Sequence, residues 1–191
     1  MSDLAGLSDA DLVRRMAVGD EDAFVALYRR RQGAVYRFAW QMSGSSAVAE
    51  EVTQEVFLVL IESAGRYDAS RGPVLSWLFG VARNRVLRWL EKDGRYRPNA
   101  EEMEETEGAP ASAGGAVLVE LERNETLEMV RQAVLSLPPH YREAVVLCDL
   151  QEAGYEEAAR ILGCAVGTVR SRLARGRALL AGKLRHARCS T

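Results

Sequence analysis

The sequence predicts an all-α protein made of two small helical domains joined by a flexible acidic linker, and three observations predict it. Apolar residues recur at three- and four-residue spacing through most of the chain, and the strict alternation of a half-buried strand is scarce. Ala, Leu, Arg and Glu are abundant in a composition that is 48% hydrophobic and 27% charged, the balance of a helical globular protein. Between residues 94 and 116 large apolar side chains nearly vanish and Gly, Ala, Pro, Ser and Glu take over, so that stretch cannot build its own core. The expected division is 1–93, a linker at 94–116, and 117–191. At 191 residues the chain can bury cores without disulfide staples.

The elements follow in order. Ser8 can cap a first helix with Asp11 three residues on; Leu12, Val13 and Met16 give it an apolar side, and Gly19 ends it. A second helix over 20–42 carries Phe24, Leu27, Tyr28, Val35, Phe38, Ala39 and Met42 at helical spacing. Its internal Gly33 costs about 1 kcal/mol relative to Ala. The Gly44-Ser45-Ser46 turn introduces a third helix over 47–64, whose Glu50 and Glu51 lie in the first turn, where the helix dipole favours negative charge. Val48, Val52, Val56, Leu60 and Ile61 are its expected core stripe, which leaves Glu51, Gln54, Glu55 and Leu58 on another side. Gly65 closes this helix, and a mixed loop over 66–72 leads to Pro73, expected as the first residue of a fourth helix reaching about residue 92. Trp77, Leu78, Val81, Ala82 and Val86 face inward there, with Arg83, Asn84, Arg85 and Arg88 between them. Trp77 and Trp89 read as core or groove anchors.

Beyond the linker, helical spacing resumes over 117–135 through Leu118, Leu121, Leu127, Val130 and Val134. Pro138 and Pro139 break it and start a segment over 141–150, where Ala144, Val145, Leu147 and Cys148 pack toward the next two helices. Those are joined by a tight turn: 155–162 with Ala158, Ala159, Ile161 and Leu162, a stop at Gly163, then 168–184 with Val169, Leu173, Leu179, Leu180 and Leu184. That is a helix-turn-helix pattern, and Ala158, Ala159 and Gly163 are expected to let its helices cross closely. Arg170, Arg172, Arg175 and Arg177 lie between the apolar positions of the second helix, and no Asp or Glu follows Glu157. Guanidinium can donate twice to phosphate oxygens or to the O6/N7 edge of guanine, which suits a DNA groove better than a merely solvated basic face. The net charge of −2 hides this asymmetry, because Glu101, Glu102, Glu104, Glu105 and Glu107 crowd into the linker, and local field is what a phosphate backbone meets.

These residues carry a family resemblance. The stretch GYEEAARILGCAVGTVRSRLARGRALL resembles the −35-reading region 4 of bacterial sigma factors of the extracytoplasmic-function group, in the sigma-70 family. DAFVALYRRR, AVAEEVTQEVFLVL and GPVLSWLFGVARN are similar to region 2 of the same family, and LPPHYREAVVL to its LPPxxREVFLL. A response regulator could share the helix-turn-helix but would need an α/β receiver domain with acidic strand ends. A repressor or activator that binds duplex DNA alone is the second reading, and it differs in needing no polymerase. Two positions depart from the family pattern: Arg88 stands where Asp is frequent, and Ala174 where several members carry a bulky residue.

The resemblance implies a specificity subunit that binds core RNA polymerase at the β′ clamp helices and β flap, carries it to promoter DNA, and is held inactive by an anti-sigma factor. It implies a polymerase-binding face of Glu51, Gln54, Glu55 and Leu58, a polar patch with an apolar centre. For the −10 element it implies Tyr67, Asp68, Ser70 and Arg71 in the loop, with Arg83, Asn84, Arg85 and Arg88 on the next helix. Such side chains can capture an extruded base, bond a base edge and hold phosphates. For the −35 element it implies Thr168, Arg170, Ser171, Arg172 and Arg175, with Thr168 near the helix start toward a phosphate. The five linker glutamates are expected either to mimic nucleic-acid charge within the polymerase or to serve as a solubilising spacer.

An enzyme is not expected. His140 and His186 lack a paired nucleophile motif, and there is no P-loop, GxSxG or HExxH. Cys148, Cys164 and Cys189 show no CxxC or ligand spacing, so neither metal nor cofactor is expected, and Cys148 and Cys164 read as small core residues. No apolar run nears the ~20 residues of a membrane span, and the acidic start lacks a basic region followed by an apolar one, so a cytoplasmic chain without stable membrane insertion is expected.

Overall fold

Ser8 starts the first helix as its spacing predicts. Its side chain accepts from the Asp11 backbone while Asp11 reaches back to Ser8, closing a reciprocal cap on α1 (Asp9–Met16), which buries Leu12 and Val13. The computed structural model describes residue 4 and residues 6–95 and 118–189, with side chains in the second stretch described over 126–185. The linker glutamates therefore lie outside the described residues.

Asp20 caps α2 (Glu21–Ser43) by accepting from Ala23 N at 3.0 Å. The helix runs unbroken through Gly33 and ends at Gly44, whose φ of 76° lets its N–H reach Trp40 O at 2.8 Å. Ser45 caps α3 (Ser46–Ser63), and two short 3₁₀ turns, Ala64–Arg66 and Ala69–Arg71, make the corner into α4 (Val74–Lys92). Pro73 is not the first helical residue: with ψ at 149° it is extended and stands just before the helix. The four helices enclose a core in which the Phe38 and Phe79 rings lie 5.2 Å apart, while Phe57 meets Tyr28 edge-on at 4.8 Å. Ile61 is not part of that core. It is 51% exposed, and Phe57, at 2%, fills the place on α3 beside Val56 and Leu60.

The second unit begins with α5 (Leu118–Leu135), which buries Val134 but leaves Leu127 exposed, contrary to the even apolar stripe expected. Next come α6 (Pro139–Val145), a wider helical turn over Val146–Leu150, α7 (Tyr155–Leu162) and α8 (Val166–Cys189). Among the described residues no strand occurs. Gly163, with φ at 66°, closes α7, but a Cβ there would meet nothing within 4 Å. Its role is the left-handed turn rather than a close helix crossing. Close approach occurs at buried Gly176 instead, where a Cβ would sit 2.8 Å from Val145 Cγ2 and 3.3 Å from Tyr141 O. Cys148 and Cys164 are half-buried beside the core rather than inside it.

The two units pack on each other. Val134, Val146, Leu147, Ala158, Ile161, Leu162 and Val169 join the buried cluster of the first unit, with α7 lying against α4. Arg142 donates to Met42 O at 2.6 Å and to Leu137 O at 3.0 Å, and also to Leu135 O, so one guanidinium satisfies carbonyls at the ends of α2 and α5. Burial pushes Arg142 down to about 10, which leaves it charged at neutral pH. Gln151 donates to Gln41 at 2.8 Å, and the Arg131 guanidinium lies 5.0 Å from the Trp40 ring centre.

Candidate nucleic-acid and polymerase interfaces

α8 presents its basic face because Val169 and Leu173 are buried and fix which side turns outward. Arg170, Ser171 and Arg175 are exposed, while Thr168 and Arg172 are half-buried. The Arg170 guanidinium stacks 5.6 Å over the Tyr155 ring, which belongs to the first turn of α7. Ser171 Oγ donates to Thr168 O at 2.9 Å. Arg177 is differently engaged: Asp149 accepts its Nε at 3.0 Å and its Nη2 at 2.5 Å, and this pairing raises its pKa above the usual guanidinium range. Arg177 thus ties α8 to the turn after α6. The two residues are 28 apart, and no local pattern announces the pair.

The loop after α3 is shaped by its own side chains. The Tyr67 hydroxyl donates to Gly72 O at 2.8 Å, and burial, then Asp9 and Asp68, push that phenol up. The Asp68 carboxylate accepts from Ser70 N at 2.9 Å, and the Ser70 hydrogen bonds hold it below its ordinary value. Tyr67 and Asp68 therefore set the loop's geometry, and Asp68, Ser70 and Arg71 are exposed on it. On α4, Asn84 and Arg88 are exposed one helical turn apart, on one face. Arg85 lies 3.2 Å from Glu55 of α3. Arg83 is drawn away from that face: its Nε lies 2.6 Å from Oε1 of Glu143, whose residue is 2% exposed.

On α3, Glu51, Gln54 and Leu58 are exposed and Glu55 is half-exposed, a single stripe at helical spacing. Ile61 extends it. With Leu58 at 59% and Ile61 at 51% exposure, the patch has a two-residue apolar centre that the sequence reading missed. Its signal was present in the spacing, since residue 61 stands three after Leu58 and seven after Gln54. Among the described residues no group of three or more His, Cys, Asp or Glu could hold a metal ion, and no helix is long and apolar enough to cross a membrane.

Known proteins resemble the chain on both units. Residues 27–96 match the family described as Sigma-70 region 2, and residues 127–180 match Sigma-70, region 4. The ECF RNA polymerase sigma-E factor of Escherichia coli K12 is 36% identical over 187 residues, covering 93% of this chain and 95% of that one. SigM of Mycobacterium tuberculosis H37Rv is 36% identical over 176 residues, covering 91% and 83%. SigE of Mycolicibacterium smegmatis is 37% identical over 165 residues, and the match spans 62% of that protein's length. Among solved structures, RpoE of Bartonella quintana, crystallised with the anti-sigma factor NepR, has a TM-score of 0.62 at 26% identity, over 83% of this chain and 94% of that one. CnrH, in complex with the cytosolic domain of CnrY, shares the fold with a TM-score of 0.69 at 23% identity, over 93% and 97%. With region 2 on its first helical unit and region 4 on its second, the chain belongs to the extracytoplasmic-function sigma factors of the sigma-70 family.

Proposed function

We propose that this protein is an alternative sigma factor that binds core RNA polymerase, directs it to its own promoters through the −10 and −35 elements, and is controlled by a cognate anti-sigma factor. The observation that carries the reading is that each unit exposes a separate polar or basic face. Asn84 and Arg88 lie on one, Arg170 and Arg175 on the other, with the acidic and apolar stripe of α3 available for a protein partner. A factor without a nucleotide hydrolase must capture bases that have left the stack, which costs a few kcal/mol per base and is recovered through contacts of the kind Asn84 can make. The proposed working divisions are 1–93 for polymerase docking and −10 capture, 94–116 as linker, and 117–191 for the −35 duplex. Its role is binding rather than catalysis, and its place is the cytoplasm, where polymerase works.

The test is transcription in vitro with core polymerase on a genomic DNA library, comparing the native chain with a Gln54→Ala, Glu55→Lys variant. The native chain should yield a defined promoter set that requires polymerase. The variant should lose core affinity at least several-fold in titration while retaining its fold, since surface changes usually cost within about 0.5 kcal/mol. Tight, specific duplex binding without polymerase, or unchanged core affinity in the variant, would overturn the reading.

A further inference from the structure

One exposed arginine of α8 already holds a carboxylate. Arg177 stands seven residues after Arg170, so the two side chains leave the helix within about 20° of each other and about 10 Å apart along its axis. Tyr155, at the start of α7, touches on both: Arg170 stacks over its ring at 5.6 Å, and after Asp149 it is among the groups that raise the pKa of Arg177. Their engagement differs. Arg177 gives two donors to Asp149, at 3.0 and 2.5 Å, whereas among the described residues no carboxylate pairs with Arg170 or Arg175. α8 has no acidic residue of its own, so this counter-charge reaches it from the turn after α6. With side chains 55% and 27% exposed, Arg177 and Asp149 lie open to any duplex along α8.

An ion pair this open contributes little to stability, but it changes what a duplex meets. A guanidinium turns its fork either to a carboxylate or to phosphate oxygens, and a carboxylate beside the duplex repels the phosphates the arginine would otherwise hold. Each arginine that neutralises a phosphate adds affinity blind to sequence and steepens the salt dependence, by about 0.9 in logarithmic slope. We propose that Asp149 is an affinity-limiting residue of the −35 site, which withholds Arg177 from the phosphate backbone and keeps the chain's hold on arbitrary duplex weak; this rests on the reading of α8 as the −35 contact. Arg170 and Arg175, exposed and without a carboxylate, are left to make the contacts that count.

The experiment titrates the full chain against two fluorescent duplexes across a salt series, one carrying the −35 element of a promoter found in the library experiment and one of the same length with that element scrambled. Asp149→Asn should bind both at least threefold tighter, with a salt slope steeper by about 0.9. Asp149→Glu, which keeps the charge, should bind within twofold of the native chain. Adding Arg177→Ala to Asp149→Asn should abolish the gain and the extra slope. A loosened fold would weaken binding instead, so the direction of the change separates the proposal from a structural role. Unchanged or weaker binding by Asp149→Asn, or a gain that survives loss of Arg177, overturns it. Arg177→Ala in the native background gives a second reading: its salt slope should stay as it is, and a slope shallower by about 0.9 would show Arg177 already on a phosphate and overturn the proposal. Arg175→Ala separates the two layers. If it binds both duplexes as the native chain does, the fault lies in the −35 assignment of α8; if it weakens binding while Asp149→Asn is silent, the role of Asp149 alone is wrong.

Discussion

In the amino-terminal unit Phe38, Phe79, Leu12, Leu27, Met42, Leu60, Leu78 and Leu90 are all under 2% exposed within one continuous cluster, whereas the carboxy-terminal unit's own cluster consists of Leu137, Ala144, Val145 and Leu173. Much of the second unit's remaining apolar surface, including Val146, Leu147, Leu162 and Val169, is buried in the cluster it shares with the first. The difference teaches that one unit carries its stability internally, while the other completes its burial by docking. Elements with few internal contacts open at the lowest cost, so the second unit should open before the first.

The largest effects should come from breaking the two cores separately. Phe38→Ala removes the centre of the large cluster and should cost about 3–5 kcal/mol, and Leu173→Ala about 2–5 kcal/mol. Their consequences should differ in extent. In denaturant titrations followed by hydrogen exchange, Phe38→Ala should expose both units, since the second loses its docking surface. Leu173→Ala should expose α6 to α8 while α1 to α4 stay protected. Indistinguishable protection maps for the two variants would break the comparison.

A middle-sized effect is expected from glycines of opposite kind. Gly176→Val forces a branched side chain against Val145 and the Tyr141 carbonyl and should destabilise by about 1–3 kcal/mol. Gly80, inside α4, has nothing within 4 Å of its would-be Cβ, so Gly80→Ala should stabilise by up to about 1 kcal/mol. Thermal melts measure both, and −35 duplex binding should fall for Gly176→Val alone.

Legibility in the sequence tracks the range of the interactions. The Ser8–Asp11 cap, the Gly44 and Gly163 stops and the limits of α7 were readable because each depends on residues within a few positions. Hidden features depend on distant pairs: Arg83 with Glu143 is separated by 60 residues and Arg142 with Met42 by 100. Periodicity alone also misplaces residues at the edge of a stripe. Ile61 follows Leu60 by about 100° around the helix, enough to cross from core to surface, and apolar character does not say on which side of the edge it falls. Gly176 gave no sign of its close approach, since a glycine within a basic helix reads equally well as a surface residue.

A smaller effect should sharpen the account of α8 as the proposed −35 reader. Tyr155 orients Arg170 from the neighbouring helix, and exposed cation–π contacts are worth about 0.5–1 kcal/mol. Tyr155→Ala should therefore weaken −35 duplex binding about two- to fivefold in anisotropy titrations, and Tyr155→Phe, which keeps the ring, should bind normally. Equal loss in both would transfer the effect to the hydroxyl.

The smallest expected effect is acid sensitivity, which should fall on two helix starts of the first unit and on one turn of the second. Asp20 is held below its ordinary value of 3.8 by the Ala23 backbone and Arg15, and Asp11 by Ser8 and Arg14; both sit at helix starts in the first unit. A carboxylate depressed in the folded state stabilises fully above its unfolded value and loses that contribution as pH falls through the folded one. In the second unit Glu128 of α5 is likewise lowered, by Arg131 and Gln132. Lowering the pH from about 5 toward 3 should therefore loosen the first turns of α1 and α2 and the Glu128 turn of α5. Amide chemical shifts followed by NMR measure this residue by residue. Asp20→Asn keeps a capping oxygen but cannot titrate, so the acid-induced shifts at the start of α2 should flatten in that variant. If they persist unchanged, protonation elsewhere loosens the first unit and the cap is a bystander.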